Sequence, residues 1–150
     1  MITFQIEKLD QFLESAFPLF DNHYQEVVEK TDVIKLNPNL DIYYILEKKN
    51  ILEIHTARDD EKLIGYSMWI VNQHINFKDS LTANSDSLYV SPEYRKGMFG
   101  AKFIKWTFEK IKERNPQRVM FHVKDSVDYS PILKRLGSKH CESTYTMVLE

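Results

Sequence analysis

The chain has 150 residues, of which 43% are hydrophobic and 28% are charged. This length is typical of a single domain, and this composition excludes an intrinsically disordered or collagen-like chain. With 20 basic and 22 acidic residues, the net charge of −2 gives no global field for a polyanion or a membrane surface.

The first third of the chain begins with a strand and continues as helix. Ile2–Ile6 alternates apolar and polar residues and predicts a short strand, with Asp10 as the N-cap of the following helix. Apolar residues then recur at helical spacing, and Pro18 predicts a bend or a break because it removes one backbone donor. A second short helix is predicted over Leu40–Lys48.

The middle of the chain has the pattern of a sheet. Ile51–Ala57 and Lys62–Val71 follow a period of two and predict an antiparallel hairpin. Ala83–Val90 predicts a third strand in this region. A long amphipathic helix then begins near Gly100 and ends before Asn115-Pro116.

The last third predicts a strand over Arg118–Lys124, a short helix that ends at Leu136-Gly137, and a final strand over Thr144–Leu149. The order of all these elements predicts an α+β fold with helices packed on a mostly antiparallel sheet. We expect one domain over residues 1–150.

The single cysteine and the N-terminus indicate the compartment. Cys141 cannot form an internal disulfide, and no Cys or His spacing indicates a zinc site, so a reducing compartment is favoured. The first residues lack the pattern of a signal peptide, and no apolar run reaches membrane-spanning length. We therefore expect a cytoplasmic protein without a metal.

The segment from Leu88 to Ala101 joins a strand end, a basic turn and the start of the long helix. The first amide N–H groups of a helix have no partner within it and lie at the positive end of its dipole, so they can bind a pyrophosphate. Gly97 and Gly100 let a ligand approach the backbone there, and Arg95 and Lys96 add positive charge. A plain strand-to-helix connection also needs glycine, so spacing alone leaves both interpretations open.

The run Val90-Ser91-Pro92-Glu93-Tyr94-Arg95, followed by Gly100, resembles the acetyl-CoA site of the GNAT (Gcn5-related) N-acetyltransferases. Met98 stands where the first glycine of the family pattern is expected, and Gly97 lies one place earlier. The resemblance covers nearly the whole order of elements and implies a GNAT-like mixed sheet with helices on both faces and splayed central strands. The run His122-Val123-Lys124 and the helix after it further resemble a phage or prophage branch of this family.

This resemblance implies transfer of an acetyl group from acetyl-CoA to a primary amine by direct attack. In the family, the pantetheine arm lies between the strand that ends at Val90 and the next strand, so Leu88, Tyr89 and Val90 would face it. The pyrophosphate would face the turn, whose residues are Arg95, Lys96, Gly97, Met98, Phe99, Gly100 and Ala101.

Two side chains are candidates for the base that such a transfer needs, because an amine with a pKa of about 10.4 is protonated at neutral pH. Asp86 lies two residues before Leu88, where the resemblance implies an acid; a solvated strand-end aspartate is the alternative. His122 is the second candidate, because histidine is the side chain that most often serves as a base or a proton relay; a packed structural histidine is the alternative.

Tyr129 is the candidate for the acid that protonates the departing thiolate. The family places a tyrosine where this chain has Leu133, and Tyr129 lies one helical turn earlier. If the helix starts at Asp128, Tyr129 could reach the same region, because residues four apart share a face. If Ser130 caps the short helix, Tyr129 lies outside it and its direction is open.

The acceptor should contact the first helices. His23, Tyr24 and Glu26 could line an aromatic, partly acidic pocket for a cationic amine, with core packing as the alternative for Tyr24. We expect a small-molecule or protein amine as partner, and a homodimer as a further association. Two rival functions are a catalytically silent acyl-CoA sensor or interaction module and, less favoured by the net charge, a nucleic-acid surface on the lysines of the long helix.

Overall fold

The computed structural model describes residues 1–149 and contains one five-stranded sheet whose strands lie side by side in chain order. The strands are β1 (Ile2–Glu7), β2 (Leu52–Asp59), β3 (Lys62–His74), β4 (Phe77–Val90) and β5 (Arg118–Phe121). The helices are α1 (Leu9–Val27), α2 (Leu40–Lys48), α3 (Phe99–Lys112) and α4 (Ser130–Arg135). Neighbouring strands are antiparallel except β4 and β5, which are parallel. The predicted α+β fold is confirmed.

Helices cover both faces of the sheet, as the resemblance implied. On one face, α1 buries Leu9 and Phe12 against β2 and β3, and α2 packs beside it. On the opposite face, α3 buries Phe103 against Ile64 and Ile111 against Trp69. The strand residues that alternate between these two layers form the core, and burial of each such side chain contributes about 1.5–3 kcal/mol.

The first helix departs from the sequence prediction at two points. Its N-cap is Lys8, and Asp10 lies inside the first turn, where a negative charge stabilises the positive end of the dipole. Pro18 lies within a single helix that runs on to Val27, so of the two predicted alternatives the break is wrong and the bend stays a prediction. An interior proline costs about 3 kcal/mol, and the buried stripe that includes Phe12 and Phe20 offsets this cost.

A β-bulge interrupts β4 at Asp86. Met68 of β3 pairs with Ser87 and Trp69 pairs with Ser85, so Asp86 is an extra residue without a partner on β3. A bulge bends its strand and redirects the side chains that follow. Ala83 faces α3 before the bulge, and Leu88 and Val90 face α3 after it, so the inward-facing positions change from odd to even numbers.

β4 and β5 separate just before the bulge. They pair only from Thr82 to Ser85 on β4, and within residues 1–149 the rest of β4 has no strand partner on that side. The expected splay of the central strands is confirmed.

Two strand predictions near the C-terminus are wrong. β5 ends at Phe121 rather than Lys124, so His122 follows the strand. Thr144–Leu149 forms no strand, and Tyr145, Met147 and Leu149 expose 94%, 82% and 79% of their surface. Alternation alone does not make a strand, because a strand must also pair with a neighbour, and this segment pairs with none in the described chain. Within residues 1–149, no helix has the length and apolar character needed to cross a membrane.

Candidate active site

The separation of β4 from β5 creates an opening at the centre of the sheet. Ser85 and Phe121 form the last pair of the parallel ladder. The next residue along β4 is Asp86, and the next residue after β5 is His122. The predicted base and the predicted relay therefore flank the same opening, one on each side. Asp86 lies in the bulge, which turns its side chain out of the regular alternation.

The carboxyl group of Asp86 reaches solvent but is crowded by protein. Desolvation raises its pKa, and the nearby His122 opposes the rise. Burial raises the pKa of Tyr43 on α2, and the charge of Asp86 adds to this rise. Burial also raises the pKa of Tyr66 on β3, with Asp86 among the charges that contribute. Asp86 thus interacts with the sheet face that α1 and α2 cover.

Tyr129 lies at the same opening. It stands directly before α4, outside the helix, and its hydroxyl donates a hydrogen bond to the carbonyl oxygen of His122 at 3.2 Å. Burial raises the pKa of Tyr129 to about 12, while a hydrogen bond with Ser85 opposes the rise. The phenol is protonated at neutral pH, as an ordinary tyrosine is, so it carries a proton that it can donate. Ser130 is the first residue of α4 and not its cap, and its amide donates to Asp128 at 2.8 Å.

The turn before α3 presents free backbone donors. Gly97 has a φ of +68°, which favours glycine, and Met98 follows with a φ of −96° as the N-cap of α3. Gly97 thus adopts the left-handed backbone conformation that the turn requires. The side chain of Met98 is largely exposed. Within the described chain, the amides of residues 96–101 donate no hydrogen bond, and Lys102 N makes the first helical bond, to Met98 O. These amides are available to an anion.

Arg95 is held on the side of this turn that faces α1. Its Nε donates to Val90 O at 2.7 Å, and its Nη2 donates to both carboxylate oxygens of Glu26 at 2.8 Å each. The guanidinium also lies over the Tyr89 ring, 5.3 Å from the ring centre. The predicted pyrophosphate residue Arg95 and the predicted acceptor residue Glu26 are therefore paired with each other.

The other two predicted acceptor residues have different surroundings. His23 is half-buried, and its Nδ1 lies 2.7 Å from the Tyr66 hydroxyl. Burial lowers the pKa of His23, and Arg95 adds to this effect while Glu26 opposes it. The Tyr24 hydroxyl instead donates hydrogen bonds to the carbonyl oxygens of Thr31, at 3.0 Å, and of Ile34. Tyr24 therefore holds the loop after α1 in place.

The predicted pantetheine residues lie on the strand beyond the bulge. Leu88, Tyr89 and Val90 pair with β3 on one side only. The other edge of this segment lies along the opening, where an amide-bearing arm could add as a strand does.

Sequence reasoning missed Tyr66 and Ser85. Tyr66 is buried directly opposite Tyr89 in the β3–β4 ladder and holds His23. The hairpin pattern could have indicated this pair, since residues opposite each other in a ladder share a face. Ser85 could not have been found, because its contact with Tyr129 depends on where the segment before α4 folds back.

Possible metal ligands, the cysteine and the surface hollows are the remaining features of the described chain. Among residues 1–149, no group of three His, Cys, Asp or Glu side chains could hold a metal ion. Cys141 is free and exposed. Two surface hollows, lined by residues 37–41 and 75–80, are each formed by one continuous stretch of chain and include none of the site residues.

Comparison with known proteins identifies a family. A family model described as "Acetyltransferase (GNAT) family" matches residues 9–131. A search of curated proteins found no match.

Solved structures share the fold at low sequence identity. A transcriptional regulator from Bacillus halodurans C-125 is 15% identical, with a TM-score of 0.74 over 99% of this chain and 100% of that one. The ribosomal-protein-alanine N-acetyltransferase from Brucella melitensis biovar Abortus 2308 is 15% identical, with a TM-score of 0.68 over 100% of both chains. A protein described as a predicted acetyltransferase, solved with acetyl-CoA, from Clostridium acetobutylicum is 12% identical, with a TM-score of 0.70 over 99% and 96%.

Proposed function

The chain belongs to the GNAT acetyltransferase family, and on that premise we propose that it transfers an acetyl group from acetyl-CoA to a primary amine by direct attack. The acceptor is a small molecule or a protein amine. The observation that carries this proposal is the set of free amides over residues 96–101, next to the unpaired edge of β4. Such amides and such an edge suit the two polar parts of acetyl-CoA, its phosphates and its pantetheine amides.

The binding residues divide between these two parts. The turn from Lys96 to Ala101 would hold the pyrophosphate through backbone N–H groups. The edge of β4 from Leu88 to Val90 would hold the pantetheine amides. When bound, acetyl-CoA supplies the thioester, and the opening between β4 and β5 directs that end towards Asp86, His122 and Tyr129.

The residues around the opening between β4 and β5 carry out the proton transfers. Asp86 accepts a proton from the acceptor ammonium, and the neutral amine attacks the thioester carbonyl. A C–N bond forms and the C–S bond breaks, while Tyr129 gives its phenolic proton to the departing thiolate. Asp86 passes the first proton to solvent through the exposed His122, and it then accepts the second proton that the amine loses. That second proton restores Tyr129.

Two measurements test this proposal. Calorimetric titration with acetyl-CoA should show one site per chain, and a thiol-release assay over a panel of primary amines should show turnover. Acetyl-CoA without an amine serves as the control for the assay, because it shows the background hydrolysis of the thioester. Absence of acetyl-CoA binding would contradict the proposal.

A second candidate function is a silent acyl-CoA sensor or interaction module. The observation in its favour is Leu133, which is buried at the position where the family carries the tyrosine that acts as general acid. The place of the Tyr129 hydroxyl at the opening, 3.2 Å from His122 O, favours the enzyme instead. Binding of acetyl-CoA without turnover of any amine would support the sensor. The cytoplasmic location inferred from Cys141 stays a prediction.

A further inference from the structure

We propose that Glu26 is the anionic contact for a positively charged acceptor, and that it becomes available when the phosphates of acetyl-CoA draw Arg95 away from it. This inference rests on the proposed function and adds to it a substrate class and an order of events. The acceptor would be an amine that carries a second cationic group, such as a diamine or a polyamine.

The ion pair between Glu26 and Arg95 has a geometry that can be exchanged. Both oxygens of the carboxylate accept from the same terminal nitrogen, Nη2, at 2.8 Å. The side chains of Glu26 and Arg95 expose 26% and 34% of their surface, so a ligand can reach them.

A phosphate group is the stronger competitor for Arg95. Arg95 directly precedes the free amides of residues 96–101, so an anion bound to those amides lies beside it. A guanidinium matches the geometry of phosphate oxygens, and a pyrophosphate carries more negative charge than one carboxylate. The pair present in the free protein therefore gives way when the coenzyme binds.

Glu26 faces the acceptor side of the site once Arg95 has left. It lies three residues after His23 on α1, and residues three apart share a helix face. His23 contacts the Tyr66 hydroxyl, and the charge of Asp86 acts on Tyr66. Glu26, His23, Tyr66 and the base Asp86 therefore lie in the same region of the sheet. A partly buried carboxylate without a partner is costly, so a cationic group is favoured to replace Arg95.

The affinity for acetyl-CoA tests whether Arg95 exchanges Glu26 for the phosphates, because only this exchange predicts tighter binding when Glu26 is removed. Glu26→Gln frees Arg95 in advance, so acetyl-CoA should bind about two- to fivefold more tightly than to the wild type, from the typical strength of such an ion pair. Glu109→Gln breaks an exposed pair with Lys112 on α3 and should leave the affinity unchanged. In an Arg95→Gln background, Glu26→Gln should give no tightening. Unchanged or weaker binding by the single Glu26→Gln variant would overturn the exchange.

Acceptor preference tests the substrate class. At saturating acetyl-CoA, the wild type should acetylate 1,4-diaminobutane with a kcat/KM on the order of tenfold above that for 4-amino-1-butanol, the cost of losing a charged contact. Glu26→Gln should remove this preference through KM, with kcat retained. Equal rates for the two amines in the wild type, or turnover of neither with coenzyme binding intact, would overturn the class.

The two levels of the argument fail separately. If the wild type does not bind acetyl-CoA, the proposed function fails and the exchange fails with it. If the wild type binds acetyl-CoA and Glu26→Gln has no effect, only the exchange fails.

Discussion

Asp86 combines an exposed carboxyl with a raised pKa, and this combination sets the pH behaviour of the site. Desolvation raises the pKa in the folded protein above its value in the unfolded chain. For an acid, such a shift contributes stability below the unfolded pKa, and this contribution is lost as the pH rises through the folded pKa. The ionised carboxylate needed for catalysis is therefore formed at some cost to stability.

We predict that Asp86→Asn lowers kcat/KM by about 10²-fold, because a positioned base typically contributes this much. The acid limb of the pH profile, which the raised pKa of Asp86 moves upward, should disappear. The free energy of unfolding at neutral pH should stay within about 0.5 kcal/mol of the wild type, or rise, since the amide carries no charge. Asp79→Asn, on the exposed part of β4, is the control. Wild-type rates and pH profile in Asp86→Asn would assign the base role elsewhere.

Tyr129 gives a second prediction at this scale. Tyr129→Phe should lower kcat by about 10- to 100-fold with little change in KM, since loss of an acid affects the chemical step. The pKa of about 12 means that Tyr129 does not titrate near neutral pH, so the basic limb of the profile should not move. Tyr145→Phe, on a side chain that is 94% exposed, should behave as the wild type. An unchanged kcat in Tyr129→Phe would show that the thiolate leaves without this acid.

Local pattern and resemblance identified the individual site residues, but not their contacts. The strand and turn around Asp86 and Gly97 were visible in the sequence. The pairing of Arg95 with Glu26 joins residues 69 positions apart, and no local pattern encodes it. The bulge at Asp86 was equally hidden, because it depends on the register with β3.

The turn before α3 is the element on which coenzyme binding depends. An ideal Cβ built at Gly100 meets no atom within 4 Å, whereas Gly97 has a φ of +68°. A side chain is therefore tolerated at Gly100 by the fold, and strained at Gly97 by about 1–2 kcal/mol.

We predict that Gly100→Glu abolishes acetyl-CoA binding, because its carboxylate repels the phosphates at the amides they need. A glutamate in the first turn of α3 favours the helix dipole by about 0.3–1 kcal/mol, so the free energy of unfolding should not fall much. Gly100→Ala, the matched control, should retain the affinity within about threefold. Calorimetric titration and chemical denaturation measure both effects. Retained binding in Gly100→Glu would place the phosphates at another turn.

Element boundaries were predictable where the pattern and the capping residues agreed. α2 has its predicted bounds, Leu40–Lys48, because Asn39 accepts a hydrogen bond from the Ile42 amide at the helix start. β5 is shorter than its alternation indicates, because β4 turns away at the bulge and leaves the end of β5 without a partner. Pairing between strands, and not alternation alone, decides where a strand ends.

At the scale of the whole molecule, the sheet has an open outer edge at β5, and no helix or strand follows α4 within the described chain. Tyr145, Met147 and Leu149 alternate along the exposed C-terminal segment. An open edge and an unpaired alternating segment can satisfy each other by strand addition. In a dimer, the C-terminal segment of each copy could pair with the β5 edge of the other. The homodimer expected from the sequence stays a prediction, and disruption of this pairing tests it.

We predict that light scattering after gel filtration gives twice the 17.8 kDa mass of one chain. Truncation after Gly137 should give a monomer that still binds acetyl-CoA, because residues 88–101 lie outside the removed segment. Tyr145→Asp together with Met147→Asp should have the same effect on mass in the full-length chain. A full-length protein that runs as a monomer at micromolar concentration would contradict the prediction.

The extra residue in β4 also limits how this protein can be engineered. Since Asp86 shifts the alternation of everything after it, removal of the whole residue would carry Leu88 and Val90 to the wrong side of the sheet and bring Tyr89 beneath α3. Replacing the Asp86 side chain alters only the chemistry. A mutant library aimed at new catalysis should therefore exchange amino acids here and keep the strand length fixed.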